Sequence, residues 1–493
     1  MKMQKKPNKP NLLLITVDQM RGDCLSALGH PVVETPNLDA LAHRGVLFRN
    51  AYSATPSCIP ARAAIFTGMS QRSHGRVGYQ DRVPWTYEHM LPEELAKAGY
   101  HTQCVGKMHV YPTRNLCGFH NVVLHDGYMH YNRYKHGVAA AEHFDACDDY
   151  LRDLKRQAGF DQDLLDSGMD CNASTVARPW HLAESLHPTN WAVTESIDFL
   201  RRRDPSKPFF LWTSFVRPHP PFDPPQVYFD MYKDLEMPAP PVGDWVDEES
   251  AMHGDPSPVT AFRKLEGRRL SRAQAAYYAL ITHLDDQIGR LLNGLNEHGV
   301  LNDTLILFTS DHGELMGDHH YFRKSLPYEG SAKVPFLLYD PGANLGLQRG
   351  TTVDRVVELR DIMPTLLEAA GVPIPESVEG ASLLPLAQGQ APAWREYVHG
   401  EHTAGPLSNH YITDGRTKYI WFSQTGREQL FDLTADPQEC ADLSGSAEHA
   451  SLREAFRARL IEELQDREEG YSHGTELIAG RTPRPVLAHI GQH

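Results

Sequence analysis

The sequence predicts an α/β protein: a mostly parallel sheet sandwiched by helices, followed by a smaller C-terminal α+β unit of antiparallel sheet plus helix. Three observations carry this expectation. Short continuous apolar runs recur at Asn11–Val17 (NLLLITV), Pro208–Phe215 (PFFLWTSF) and Thr304–Ser310 (TLILFTS), the pattern of strands buried on both faces of a parallel sheet. Helical patterns alternate with these runs, which favours parallel pairing with helices on both faces. From about Trp394 the texture changes to shorter alternating runs separated by turn residues, the mark of a small antiparallel sheet.

Each apolar run ends in polar groups: Asp18-Gln19, Arg217-Pro218-His219 and Asp311-His312. In open α/β sheets the carboxyl edge of the strands is where ligands bind. The helical patterns are Asn37–Arg44, Leu91–Ala98, Trp191–Arg203, the long Ser271–Glu297 and Leu359–Ala370, with Gly45, Gly99 and Gly371 as terminators. Two long stretches lack clear periodicity, the His-, Tyr- and Asp-rich His109–His181 and the Pro-rich Arg217–Pro258. Segments of that length act as covers or local insertions, so they are expected to wall the site. In the last part, HYITDGRTKYIWF and EQLFDL read as strands and Ala447–Glu468 as a polar helix; the stretch LPLAQGQAPAW places a boundary within 385–394, giving units 1–388 and 389–493. No internal repeat is present.

The chain has 493 residues, 41% of them hydrophobic, with 63 acidic against 48 basic side chains and a net charge of −15. That balance argues against general affinity for nucleic acid or anionic membranes, whose phosphates call for a basic excess. The basic start, MKMQKKPNKP, meets only a short apolar run before Asp18, Gln19 and Arg21, too short for a secretory signal, and no stretch approaches the ~20 apolar residues of a membrane span. A cytoplasmic protein is expected. The seven cysteines (24, 58, 104, 117, 147, 171 and 440) show no C-x-x-C spacing, so neither a zinc knuckle nor a disulfide framework is indicated.

The most informative segment is Ser57-Cys58-Ile59-Pro60-Ala61-Arg62 and the residues to Gly68. Ser57 is a candidate N-cap, Pro60 suits a first helical turn, and Cys58 and Arg62 fall i, i+4 on one face. A helix N-terminus offers free N–H groups and a positive dipole end to an anion, and Arg62 adds a charged donor. A sulfur nucleophile, or a derivative of it, is thereby placed beside a positive pocket. C-x-P-x-R arises by chance only about 0.03 times in a chain of this composition.

With these residues in view, the sequence resembles the sulfatase family of the alkaline-phosphatase superfamily, from about residue 10 into the C-terminal unit. Cys58-Ile59-Pro60-Ala61-Arg62 is similar to its C-x-P-x-R signature, with Ala61 where a Ser is usual. The resemblance implies an alkaline-phosphatase-like fold, a formylglycine made from Cys58 by a separate maturation enzyme, and hydrolysis of a sulfate ester. It implies a divalent metal held by Asp18, Gln19, modified Cys58, Asp311 and His312. Gly106-Lys107-Met108-His109 resembles G-K-x-H, which implies a sulfate-binding lysine at 107 and a histidine serving the nucleophile at 109. His219 in RPHPPF matches the histidine facing the leaving oxygen, and Lys324, four residues before Tyr328, matches a second sulfate-binding lysine. By the same resemblance Asp311 accepts the proton of the attacking hydroxyl.

The chemistry of these residue types agrees. Asp18, Asp311 and the Gln19 amide oxygen are hard ligands suited to Ca²⁺, the first expectation, or to Mg²⁺ or Mn²⁺, and the softer His312 keeps Mn²⁺ in play. Arg62, Lys107 and Lys324 would hold negative charge on a transferring sulfuryl group. Two rival readings use the same residues: a phosphonate monoester or phosphodiester hydrolase of the same superfamily, and a non-catalytic metal- and anion-binding relative. Lys107 and His109 favour sulfate esters. The leaving group is expected to be a sulfated sugar or an aryl alcohol, with Asp318, His319, His320 and His402 as further candidates for its pocket. Oligomeric state is not legible from the sequence.

Overall fold

The three apolar runs fold as three adjacent strands at the centre of an eight-stranded sheet. In this computed structural model, which describes residues 9–127 and 147–491, β1 (Asn11–Asp18) lies between β6 (Phe209–Pro218) and β7 (Thr304–Ser310) and runs parallel to both. The basic residues 1–8 and positions 128–146 of the His/Tyr-rich stretch lie outside the described residues. Beyond β6 come β4 (His101–Gly106) and β5 (Asn121–Leu124), both parallel; beyond β7 come β8 (Phe336–Tyr339), β2 (Val46–Phe48) and β9 (Thr351–Val353). β8 runs antiparallel to both its neighbours, so the sheet is mostly rather than wholly parallel. A two-stranded parallel pair joins β3 (Ala51–Tyr52) to β10 (Val357–Glu358).

Alternate residues of the central strands enter two separate cores, one on each face. Leu13, Ile15, Phe209, Leu211, Ile306 and Phe308 pack with the helices Pro36–Arg44, Pro188–Arg202 and Gly267–Glu297. Leu12, Leu14, Phe210, Trp212, Leu305 and Leu307 pack with the helices Cys58–Thr67, Leu91–Lys97 and Ile362–Ala369. Burial on both faces is why these strands read as unbroken apolar runs.

The expected helices are all present, with shifted ends. The pattern at Leu359 begins as a 3₁₀ turn, Leu359–Asp361, before the α-helix starts at Ile362, and the C-terminal helix is Ala450–Glu463, shorter than expected. The two stretches without clear periodicity hold structure of their own: β5 and the helix Asp149–Ala158 in the first, Gln226–Tyr232 and Glu248–Met252 in the second. These elements are short, so few turns were there to reveal a period. Among the described residues no helix is long and apolar enough to cross a membrane.

The C-terminal strands β11 (Val398–His402), β12 (Asn409–Thr413), β13 (Thr417–Phe422) and β14 (Glu428–Asp432) form an antiparallel sheet in sequence order. One face buries Ile412, Tyr419 and Trp421 against Phe456 and Leu460 of the Ala450–Glu463 helix. The other shares a core of Tyr411, Ile420 and Phe431 with Tyr52, Leu315 and Tyr328. Polar anchors cross the same boundary: Asn409 Nδ2 donates to Ser325 O at 3.0 Å, and buried Lys418 donates to Pro327 O at 2.8 Å while pairing with Glu329 and Glu439.

Within this region Arg467 grips buried Glu401 through two bonds of 2.8 and 2.9 Å. Burial pushes the Glu401 carboxyl up, but Arg467 together with His410 outweighs it and brings the group down to about 2, against 4.5 for an ordinary glutamate. Because the folded value is the lower one, the pair's contribution is complete above about pH 4.5 and is lost as pH falls toward 2, roughly 3 kcal/mol in all. Arg467→Met should cost about 3–5 kcal/mol at pH 7 by removing the main cationic partner of Glu401 and of Glu469. In urea unfolding measured from pH 7 downward, the gap between variant and wild type should narrow as Glu401 takes up its proton.

Candidate active site

Four adjacent strands deliver one cluster of side chains at their carboxyl edge. β1 ends in Asp18, β4 leads to Lys107, β6 leads to His219 and β7 to Asp311 and His312. The β1–β6 register breaks between Thr16 and Asp18, which sets Asp18 opposite Pro218. Gly106 has φ +100°, and a Cβ there would meet Ser214 O at 1.9 Å; this close turn lets Lys107 N–H donate to that carbonyl at 2.8 Å. The Cys58–Thr67 helix, buried along all ten residues, brings its N-terminus to the same edge. Ser57 sits at the N-cap with extended backbone, but its hydroxyl makes no capping bond; it meets His402 Nε2 at 3.0 Å instead. A competing partner from β11 overrides the local preference.

Cys58 Sγ lies 3.5 Å from Asp18 Oδ1, 3.2 Å from His312 Nε2 and 3.6 Å from Lys324 Nζ. Lys107 Nζ pairs with Asp18 Oδ2. His312 Nε2 is also 3.4 Å from Asp18 Oδ1 and 3.6 Å from Asp311 Oδ1, while its Nδ1–H donates to Gly313 O at 2.9 Å. Arg62 Nη2 faces Asp311 Oδ2 at 3.2 Å, and Nη1 donates to Lys107 O at 2.7 Å and Ser214 Oγ at 2.9 Å. Gln19 N–H donates to Asp311 Oδ1 at 3.2 Å, and the Gln19 amide oxygen accepts from Lys324 at 2.6 Å.

His219 donates from Nδ1 to Pro220 O at 2.7 Å. His109, at φ +57°, stands 3.6 Å from Asp81 and edge-on to Tyr79; among the described residues neither of its ring nitrogens has a hydrogen-bond partner. All the residues singled out from the sequence around C-x-P-x-R, G-K-x-H, Asp18-Gln19, His219, Asp311-His312 and Lys324 therefore meet in one place.

Their proton equilibria are strongly coupled through charge. Burial pushes the Asp18 carboxyl up, but Lys107, with His219 and Lys324, holds it well below the usual carboxylate range. Burial and the Asp18 charge raise Asp311. For Cys58, burial and Asp18 act upward and Lys107, Lys324 and His312 outweigh them, so the unmodified thiol is held well below its ordinary range. Burial and then Lys324 depress His219 well below 6.5, whereas for His312 burial acts downward and Asp311 and Cys58 together outweigh it, so the imidazole is raised.

The donor set suits a divalent cation. One ligand atom each from Asp18, Cys58, Asp311 and His312 lies within 4.8 Å of the others, all four buried. Tying His312 Nδ1–H to Gly313 O leaves the Nε2 lone pair for a metal, and Asp311 Oδ2 is buried with an ion-pair contact to Arg62 but no hydrogen bond among the described residues. Two carboxylates and an imidazole at such range fit a hard or borderline ion.

Above the cluster opens a cavity of about 520 Å³. Tyr79, Val216, Phe262, Tyr321, Phe322 and Leu407 form apolar parts of its wall, and Asp126 and Asn172 from the first long stretch and Arg217, His219 and Pro220 from the start of the second also line it. Asp318, His319 and His320 are corrected: none lines the cavity. Asp318 pairs with Arg21 at 2.6 Å, His319 packs on Trp245 and Tyr328, and His320 meets Glu248 at 3.0 Å. His402 does not line the cavity and meets Ser57 at 3.0 Å. Sequence reasoning missed Ser214 and Asp126; Asp126 Oδ1 accepts from the backbone of Met108 and His109 and so shapes that loop. A polar residue just past a strand end was the available signal for Asp126, and Ser214 had none within its apolar run.

Residues 10–372 match the family model described as Sulfatase. The chain belongs to the sulfatase family. Residues 317–466 also match the C-terminal model of N-sulphoglucosamine sulphohydrolase. The sulfatase is 56% identical over 482 residues to a protein of Clostridium perfringens named Arylsulfatase, covering 98% of this chain and all of that one. It is 32% identical to the Choline-sulfatase of Rhizobium meliloti, covering 91% of this chain and 86% of the other. Among solved structures, the phosphonate monoester hydrolase of Agrobacterium radiobacter aligns with a TM-score of 0.73 at 28% identity, covering 92% of this chain and 95% of that one. The sulfatase is a sulfuric ester hydrolase, and its family works with a metal and a formylglycine.

Adding a divalent cation to metal-free protein should raise the unfolding temperature, by roughly 2.7 kcal/mol of stabilisation at about 100 times the dissociation constant. Asp18→Asn and His312→Ala should each remove most of that shift in thermal unfolding followed with and without Ca²⁺.

Proposed function

We propose that this sulfatase hydrolyses aryl sulfates at residue 58, after a maturation enzyme has converted Cys58 to formylglycine, and that 1–388 forms the catalytic unit with 389–493 as a subdomain packed on it. The observation that carries the reading is the position of Cys58 Sγ at a buried helix N-terminus, 3.5 Å from Asp18 and 3.6 Å from Lys324, beneath an aromatic cavity. Phe262 and Tyr321, with ring centroids 4.6 Å apart and planes tilted by 38°, give the cavity an aromatic wall suited to an aryl leaving group. The name of the 56% identical relative, Arylsulfatase, supports the same substrate class.

When present, formylglycine supplies a hydrated aldehyde as nucleophile, and a divalent ion held by Asp18, Gln19, residue 58, Asp311 and His312, proposed to be Ca²⁺ from the oxygen-rich donor set, supplies Lewis acidity. Asp311 accepts the nucleophile's proton; its raised affinity for protons, from burial and Asp18, suits a base. Arg62 braces Asp311 and the Lys107 carbonyl, so base and anion site are held by one guanidinium. Lys107 and Lys324 hold the negative oxygens of the ester from two sides.

His219 donates a proton from Nε2 to the departing oxygen, its ring fixed by the bond from Nδ1–H to Pro220 O. Burial and Lys324 keep the resting imidazole neutral, and the incoming anionic ester shifts that balance toward the protonated form. His109, which lines the cavity with its ring 3.6 Å from Asp81, would take up a proton from residue 58 as sulfate leaves.

Cys58→Ala should retain its metal-induced thermal shift and lose aryl sulfate turnover by at least about a thousandfold. Tryptic mass analysis of protein from the native host should find residue 58 as formylglycine; an intact thiol in fully active enzyme would falsify the scheme. Turnover of a matched aryl sulfate, aryl phosphonate and sulfated monosaccharide should rank the aryl sulfate first, and a preference for the phosphonate would move the assignment to phosphorus esters.

A further inference from the structure

Glu314 is fully buried, does not line the cavity, and has no part in the chemistry described above. Its two oxygens nevertheless bind two separate parts of the site. Oε2 accepts from the Gln19 amide nitrogen, and Oε1 accepts from the backbone N–H groups of Arg323 and, at 3.0 Å, Met316. On the far side of Gln19, the Lys324 ammonium donates to the amide oxygen at 2.6 Å. A lysine ammonium can only donate and an ionised carboxylate can only accept, so the Gln19 amide has a single allowed orientation, with its oxygen toward Lys324 and the metal ligands.

Arg323 and Lys324 are neighbours in the chain, and Arg323 has a positive φ of +70°. The bond from Arg323 N–H to Glu314 therefore anchors the backbone from which Lys324 reaches Gln19 and Cys58. One carboxylate closes a ring: Glu314 to Gln19, Gln19 to Lys324, and Arg323 back to Glu314. A carboxylate in place of the Gln19 amide would bring a second negative charge against Glu314 in a fully buried place, so this neighbour demands an amide at position 19.

We infer that Glu314 is a positioning residue that sets the Gln19 amide toward the metal ligands and the Lys324 ammonium toward the sulfate. The assignment rests on the reading of the site given under the proposed function.

Glu314→Gln is expected to lower kcat/KM for an aryl sulfate by about tenfold to a hundredfold, and to weaken metal binding by a similar factor in chelator competition on metal-free protein. Gln19→Glu alone should be impaired in both measurements. Combined, Gln19→Glu and Glu314→Gln exchange acid and amide across the same contact and should recover most of both losses, a rescue that a packing role would not produce. Wild-type metal affinity and turnover in Glu314→Gln, or losses in the double variant that simply add, overturn the assignment. Where Glu314→Gln alone does not accumulate as folded protein, the exchanged pair decides: folding and metal binding support the assignment, and failure of both overturns it. Cys58→Ala measured alongside separates the two levels. Turnover lost there but intact in Glu314→Gln removes only the positioning role, whereas turnover surviving in both removes the underlying reading of the site.

Discussion

Two carboxylates, Asp18 and Asp311, lie fully buried at the ends of adjacent central strands and within reach of one imidazole. Removing such charges from water costs several kcal/mol each unless close partners offset it. Much of the molecule's organisation follows from that requirement. Lys107 comes from β4, Arg62 from a helix on one face of the sheet, His312 from β7 and Lys324 from a loop braced by the C-terminal sheet. His312 is the one compensating group that shares a segment with a carboxylate, Asp311; Lys107, Arg62 and Lys324 arrive from elsewhere, so the site exists only when the whole sheet edge is assembled.

The same burial makes the cluster chemically useful. In a water-poor setting the pull of Lys107 on Asp18 and the push of Asp18 on Asp311 move two identical side chains in opposite directions. One carboxylate stays firmly ionised while its neighbour gains affinity for protons, a division of labour suited to holding a cation and taking a proton. Helices on both faces, with two separate apolar cores, hold the strands rigid enough for contacts of 3–4 Å to be specific.

The C-terminal sheet belongs to this arrangement and not merely to the chain's bulk. His402 holds Ser57, the residue before Cys58, while Asn409 and Lys418 hold the carbonyls of Ser325 and Pro327, next to Lys324. Cys58 and Lys324 are thus both fastened from the same side. The net charge of −15 belongs to the whole chain and says little about this pocket, where Arg62, Lys107 and Lys324 gather beside the buried carboxylates Asp18 and Asp311.

The central strands were legible because burial on both faces writes them as unbroken apolar runs, and the long helix Gly267–Glu297 because its period repeats over many turns. Short elements such as β2, β8 and the helix Asp149–Ala158 carry too few residues to show a period. At the site, the identities of Asp18, Cys58, Arg62, Lys107, His109, His219, Asp311, His312 and Lys324 could be read from local motifs at strand ends, and with them the family. Their mutual distances could not. Ser57 turning to His402 instead of capping its helix, Asp318 to His320 folding away from the cavity, and Glu314 reaching Gln19 across 295 positions were decided by the tertiary structure. The reason is physical: apolar periodicity and motif chemistry are local properties of the chain, whereas hydrogen bonds act over about 3 Å and depend on strand register and loop closure, which only the assembled fold sets.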